Sequence, residues 1–126
     1  MPKIVVSTDQ APGAIGPYSQ AIRCGDLLFC SGQIPLTPGG ELIGGDVREQ
    51  TEQVMKNIAG VLGAAGLGFE NVIRTTIFLS SMDHFGAVNE VYGSRFPSDP
   101  PARSTVAVAG LPRGVDVEIE VLASFS

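Results

Sequence analysis

Tryptophan is absent from this chain, histidine occurs once, and there are only two cysteines in 126 residues. With His84 as the single imidazole, a zinc centre or a His-based nucleophilic triad is close to excluded. Basic residues are also scarce. Eight Lys plus Arg against thirteen Asp plus Glu leave a formal net charge of −5. The eight are scattered singly, without aromatic–basic interleaving, so no nucleic-acid partner is expected. The N-terminal segment lacks the apolar run of a signal peptide or membrane span, which points to a soluble, cytoplasmic protein with no membrane partner. The glycines match neither GxxxxGK[ST] nor a strand–GxGxxG–helix, so a phosphate-binding loop is not expected.

The two cysteines, Cys24 and Cys30, flank a Gly25-Asp26 turn. In a two-residue hairpin Cys24 faces Leu27 and Cys30 faces Ala21. The sulfurs then lie roughly 10 Å apart along the ladder, too far for a disulfide. Reduced thiols are the expectation.

What the chain has in quantity is apolar residues, 44%, with sixteen Gly and nine Pro. One domain spanning residues 1–126 is expected, rich in tight turns, with an interior built from aliphatics. So apolar a composition in so small a domain hints that some surface is buried between subunits. Strands are predicted at Lys3–Thr8, Tyr18–Cys24, Leu27–Ser31 and Asn71–Ser80. Two more lie in the last third, one opening at Arg103 and one at Val115–Val121. Ser31–Gly45 is too broken by Gly and Pro for regular structure. Asp46–Ala65 is the strongest helix, with Asp46 and Glu49 as a capping-box start and Gly66 as its stop. A second helix, His84–Phe96, is predicted to be capped by Asp83 and stopped by Pro97. Strands outnumber helices and hairpins are expected at both ends. The fold class is therefore α+β, a sheet with both helices on one face.

The last third holds the residues with most chemistry. Val115, Val117, Ile119 and Val121 alternate with Asp116, Glu118 and Glu120, so the acids are expected to share one sheet face. Such a row reads equally as a solvated surface or as the source of one general base. Arg103 reads as a surface cation or as a bidentate clamp on a carboxylate. As a hairpin, two registers compete. Ala109 opposite Val115 puts Val106 beside Glu118 and turns Arg103 to the other face. A one-residue slip puts Thr105 beside Glu118 and brings Arg103 to the same face. In the first register a joint site has to be completed by a neighbouring subunit. Tyr18 reads as a turn-packing aromatic, Ser31 as a loop cap and His84 as an exposed, inert side chain. Asn89, mid-helix, is mildly suggestive of a side-chain role.

Together these residues resemble a known family. The run P-A-R-S-x-V-x-x-A-x-L-P-x-x-V-x-V-E-I, Pro101–Ile119, is similar to the C-terminal signature of the Rid (YjgF) family. IGPYSQA, Ile15–Ala21, and SGQIP, Ser31–Pro35, resemble its N-terminal and central motifs. The resemblance implies a chorismate-mutase-like α+β domain with a roughly six-stranded mixed sheet, assembled as a homotrimer with sites between subunits. It further implies hydrolysis of reactive enamines and imines, such as 2-aminoacrylate and 2-iminobutanoate, to 2-oxo acids and ammonia, without a cofactor. By motif position Arg103 clamps the substrate carboxylate and Glu118 handles the attacking water. Tyr18, Ser31, Gly32, Asn89 and Thr105 fall on other substrate-binding positions. Many relatives carry cysteine where this chain has Thr105. Two rival functions remain: a non-catalytic trimeric sensor of small keto or amino acids, and RNA cleavage or translation inhibition. The acidic balance argues against the second.

Overall fold

The structure, a computed structural model, describes residues 2–126. Six strands form one sheet: β1 (Lys3–Val6), β2 (Ala21–Cys24), β3 (Leu27–Gln33), β4 (Val72–Leu79), β5 (Ala102–Ala107) and β6 (Val117–Ser124). Two helices, α1 (Val47–Ala64) and α2 (Phe85–Gly93), complete the α+β domain. The sheet order is β1-β2-β3-β6-β4-β5, antiparallel throughout except for the parallel pair β4–β5. Among the described residues no helix is long and apolar enough to cross a membrane.

Alternation divides each strand between two environments. Leu28 and Cys30 of β3, Ile77 and Leu79 of β4, and Val117, Ile119 and Val121 of β6 are buried beneath Val54, Ile58, Val61 and Leu62 of α1 and Val88 and Tyr92 of α2. Full burial of such a side chain stabilises by about 1.5–3 kcal/mol relative to exposure, so this stripe decides where the helices lie. Among the described residues the opposite face carries no second layer, and Phe29 and Val106 stay 49% and 42% exposed there.

Helix α1 begins and ends where its end signals place it. The Asp46 carboxylate accepts from the Glu49 amide at 3.0 Å. Gly66 turns left-handed at φ 76° while the Leu67 amide returns to the Leu62 carbonyl at 2.9 Å. This left-handed exit is the conformation that glycine enters without steric cost. Mid-helix, Gly60 lies so close to the Gln10 carbonyl that a β-carbon there would stand 2.6 Å from its oxygen. The N-terminal loop is seated on that bare patch of helix.

The hairpin β2–β3 has the expected register, Cys24 opposite Leu27 and Ala21 opposite Cys30, and both thiols are free. Three other expectations need correction. Tyr18 lies outside β2, in the loop before it, and β3 continues through Ser31 and Gly32 to Gln33. The second helix is shorter at both ends. Ser81, not Asp83, caps its entry: its hydroxyl accepts from the Asp83 amide at 3.1 Å and opens a 3-10 turn, Met82–His84. Finally, β5 and β6 are not a hairpin. Both pair with β4, which lies between them. The connection between them, residues 108–116, crosses the end of β4: the Val108 amide donates to the Leu79 carbonyl, and the Ser80 amide to that of Asp116. Parallel pairing of β4 with β5 requires a crossover element, and α2 supplies it.

Candidate functional site

The strand order separates the two residues that carry most of the chemistry. Arg103 aligns with Thr75 of β4, which in turn aligns with Val121 of β6; Thr105 aligns with Ile77 and Ile119. These partners are buried under the helices. Glu118 aligns with Phe78, as does Val106 from the other side, and so belongs to the opposite face. Both hairpin registers are thus overturned. Within one chain Arg103 and Glu118 point to opposite sides of the sheet, two strands apart.

Glu118 lies in a groove of about 680 Å³ whose lining includes Tyr18, Ser31, Gly32, Ile34 and Glu120. An irregularity in the β3–β6 pairing between Cys30 and Gln33 brings Ser31 and Gly32 to the Glu118 side chain. Ser31 is fixed twice. Its hydroxyl donates to the Ser19 carbonyl at 2.6 Å, and its amide to that of Gln20 at 2.9 Å. Gly32 has a role that the motif did not disclose. A β-carbon there would lie 3.0 Å from Glu118 Cδ and closer still to the carboxylate oxygen, so any larger residue would push the carboxylate out of this position. Burial against this backbone pushes the Glu118 carboxyl above its ordinary range, and the neighbouring Glu120 adds to the shift. A partly desolvated carboxyl of this kind takes up and returns a proton nearer neutrality than a solvated one.

Two buried amides hold the groove's walls. Asn57, on the core face of α1, donates to the Leu36 carbonyl at 2.8 Å and to the Ile34 carbonyl at 3.3 Å. Gln20 accepts from the Thr8 amide at 2.7 Å and donates to the Pro12 carbonyl at 2.7 Å. Neither residue was singled out from the sequence. The argument applied to Asn89, that a mid-helix asparagine wants a side-chain reason, applies with more force to Asn57, which is fully buried.

Arg103 and Asn89 line a separate pocket of about 450 Å³ with Tyr92, Phe96 and Pro101. Arg103 Nη1 donates to Asn89 Oδ1 at 2.6 Å. Its guanidinium carbon sits 5.3 Å from the Tyr92 ring centroid and 5.5 Å from that of Phe85, within reach of cation–π attraction. Tyr92 is itself fixed by a 2.7 Å hydrogen bond between its hydroxyl and that of Thr75. The arginine is thus held by a neutral amide and two rings, and no acid of this chain forms an ion pair with it among the described residues. Thr105, two residues on, has a buried hydroxyl with no hydrogen-bond partner.

Other groups offer less. Burial pushes the Cys30 thiol up to about 12, so it is not a nucleophile at neutral pH. Among the described residues, no group of three His, Cys, Asp or Glu is placed to hold a metal. Asp116 departs from the expected acidic row: it stands just before β6 and its carboxylate reaches Gln50 on α1. His84 is only partly exposed and lies 3.6 Å from Asp116.

The chain is similar to several known proteins. Residues 8–125 match the family model described as endoribonuclease L-PSP. The 2-iminobutanoate/2-iminopropanoate deaminase of Mus musculus is 48% identical over 120 residues, covering 94% of this chain and 89% of the mouse protein. A protein named putative regulator AldR from Lactococcus lactis is 49% identical over 120 residues, covering 94% and 95%. A solved structure of the conserved Rid protein family from Yersinia pestis superposes with a TM-score of 0.95 at 47% identity, covering 98% of this chain and 99% of that one. On sequence and on fold alike, this chain belongs to the Rid (YjgF) family.

Proposed function

We propose that the protein hydrolyses reactive imines and enamines of the 2-iminobutanoate and 2-iminopropanoate class to 2-oxo acids and ammonia. The observation that carries this reading is the pair of half-sites: a carboxyl raised by burial and a pre-oriented arginine, neither of which forms an ion pair among the described residues, although Arg113 also lines the Glu118 groove. A homotrimer that sets the Glu118 groove of one copy against the Arg103 pocket of the next completes both. The uncovered sheet face gives such an assembly apolar surface to bury. Thr105 then has a use for its unpartnered hydroxyl, at the substrate or at the neighbouring copy.

In this site Arg103 takes the substrate carboxylate in a two-pronged grip, which fixes the C=N carbon near Glu118. The carbon is already electrophilic, so orientation and a base suffice, and no cofactor is needed. Orientation is worth about 7–11 kcal/mol in favourable cases. As water adds to the carbon of the protonated imine, Glu118 takes a proton from the water, giving a neutral carbinolamine. Glu118 returns that proton to the amino group and then accepts the hydroxyl proton as the C–N bond breaks, releasing ammonia, leaving the 2-oxo acid and passing the last proton to solvent. An enamine enters the same sequence after protonation at its terminal carbon.

The test is to generate the imine in place with an amino-acid oxidase and follow its decay with and without the protein. Acceleration that fails in Arg103→Ala and Glu118→Gln supports the reading. A decay rate indifferent to the wild-type protein sinks it in favour of the second one, a trimeric sensor that binds 2-oxo or amino acids in the same clefts. That alternative draws support from the relative named as a putative regulator. RNA cleavage is disfavoured by the net charge of −5 and by the acids lining the groove.

A further inference from the structure

Asp116 has more polar contacts than either proposed site residue, although it lines neither pocket. Its carboxylate accepts from Gln50 Nε2 of α1 at 3.0 Å and from the Ser80 hydroxyl, just past β4, at 2.8 Å. The oxygen that meets Ser80 also lies 3.6 Å from His84 Nε2, at the entry to α2. Its backbone is tied as firmly: the amide donates to Gln50 Oε1 at 3.0 Å, and the carbonyl accepts from the Ser80 amide at 3.1 Å.

These tethers converge on the carriers of both half-sites. Two residues after Asp116, β6 delivers Glu118. Five residues after His84, α2 delivers Asn89, whose amide oxygen holds Arg103. Packing alone leaves a strand and a helix free to slide by fractions of an ångström, whereas a carboxylate hydrogen-bonded to α1 and to the end of β4, with His84 at ion-pair distance when protonated, ties these elements together. Gln50 is only 7% exposed. Both ends of its amide depend on Asp116, so losing the carboxylate would leave a buried donor unsatisfied.

We propose that Asp116 is a positioning residue that sets β6 against α2, and so fixes the placement of the Glu118 carboxylate and of the Asn89–Arg103 pair. The inference rests on the reading that these two groups serve one chemistry. If each cleft joins two copies, the same carboxylate also ties together two neighbouring clefts.

The test combines NMR with kinetics in Asp116→Ala and Asp116→Asn. The asparagine can still accept from Gln50 and, with the Ser80 hydroxyl reversed, donate to Ser80, but it presents no charge to His84. In Asp116→Ala the 13C-carboxyl titration of Glu118 should fall back toward the ordinary carboxylate range, and the Arg103 Nε–H resonance should shift. With an imine substrate, kcat should drop about tenfold and KM rise about threefold. Asp116→Asn should recover the Glu118 titration and most of kcat. His84→Ala, which cuts only the tether to α2, should move the Arg103 resonance and leave the Glu118 titration in place. A lower melting temperature in Asp116→Ala with Glu118, Arg103, kcat and KM all at wild-type values would overturn the proposal and leave Asp116 a purely structural residue. Should Asp116→Ala not fold, the same readings on Gln50→Met and His84→Ala decide the matter. If the wild type hydrolyses no imine, the activity reading fails, and the two NMR signals still judge the positioning role.

Discussion

The two pockets of one chain are built by different means. Around Glu118 the work is done by backbone: an irregular β3, a glycine that leaves room, and loops held by buried amides. Around Arg103 it is done by side chains on regular elements, an asparagine and two aromatic rings stacked along α2. A proton carrier needs a partly desolvated seat, which backbone packing provides. A clamp must keep its charge and its fork orientation, and a neutral amide with ring faces orients it without neutralising it. On the proposed reading, each pocket holds one half of a carboxylate-binding, proton-transferring site.

The largest expected effect falls on the groove. Glu118→Gln should lower kcat on an imine substrate by about 10²–10⁴ with little change in KM, as for removal of a general base. Arg103→Ala should come next, with a loss of about 10²–10³ in kcat/KM carried largely by KM, the usual result of stripping a charge partner from a bound anion. Mixing sharpens the contrast. If each cleft draws one residue from each of two copies, as proposed, unfolding the two inactive variants together and refolding them at equal concentration should restore roughly a quarter of wild-type activity by random assembly. No recovery in correctly assembled oligomers would place both residues in one chain's site, against the strand order.

A smaller effect should separate the walls. Gly60→Ala drives a methyl into the Gln10 carbonyl and should cost about 1–3 kcal/mol of stability by denaturant titration. Because the displaced loop continues through Pro12 into the Glu118 groove, kcat should suffer more than the Arg103-dependent KM.

The smallest effect is on stability against pH. The Glu118 carboxyl is raised in the folded chain, so its ionisation disfavours folding. Its contribution is intact below the ordinary carboxylate range and is lost as pH rises through the raised value. Glu118→Gln should therefore melt slightly higher than wild type at pH 7 and match it near pH 3. A variant less stable than wild type at pH 7 would mean that the ionised carboxylate is a net stabilising partner, contrary to the burial argument.

These contrasts were only partly legible in the sequence. Helix α1 was, because Asp46, Glu49 and Gly66 act locally and its apolar stripe repeats at helical spacing. The turn at Gly25-Asp26 was legible for the same reason: two residues with turn chemistry fix the register on either side. The placement of β5 was not. Alternation shows which residues share a face but not which strand is the neighbour, and sequence proximity favoured a hairpin. Loop length gave no warning, since Ala109 opposite Val115 leaves residues 110–114 to close the hairpin, within the usual two to five, whereas the observed connection runs over 108–116. The shortened α2 reflects a competition between two capping residues two positions apart, Ser81 and Asp83, which local pattern does not resolve. The motif resemblance singled out Glu118 and Arg103 but gave no account of Gln50, Asn57 or Gln20. Their value lies in carbonyls and carboxylates brought near only by the fold.

The buried Cys30 carries one more consequence. With a thiol pKa of about 12, about one molecule in 10⁵ carries the thiolate at pH 7. Of the two free thiols of the β2–β3 hairpin, Cys30 is shut beneath the helices while Cys24 is partly exposed. A thiol reagent should therefore mark one cysteine readily in the folded chain and the second only when the sheet opens, which makes the second label a clock for unfolding.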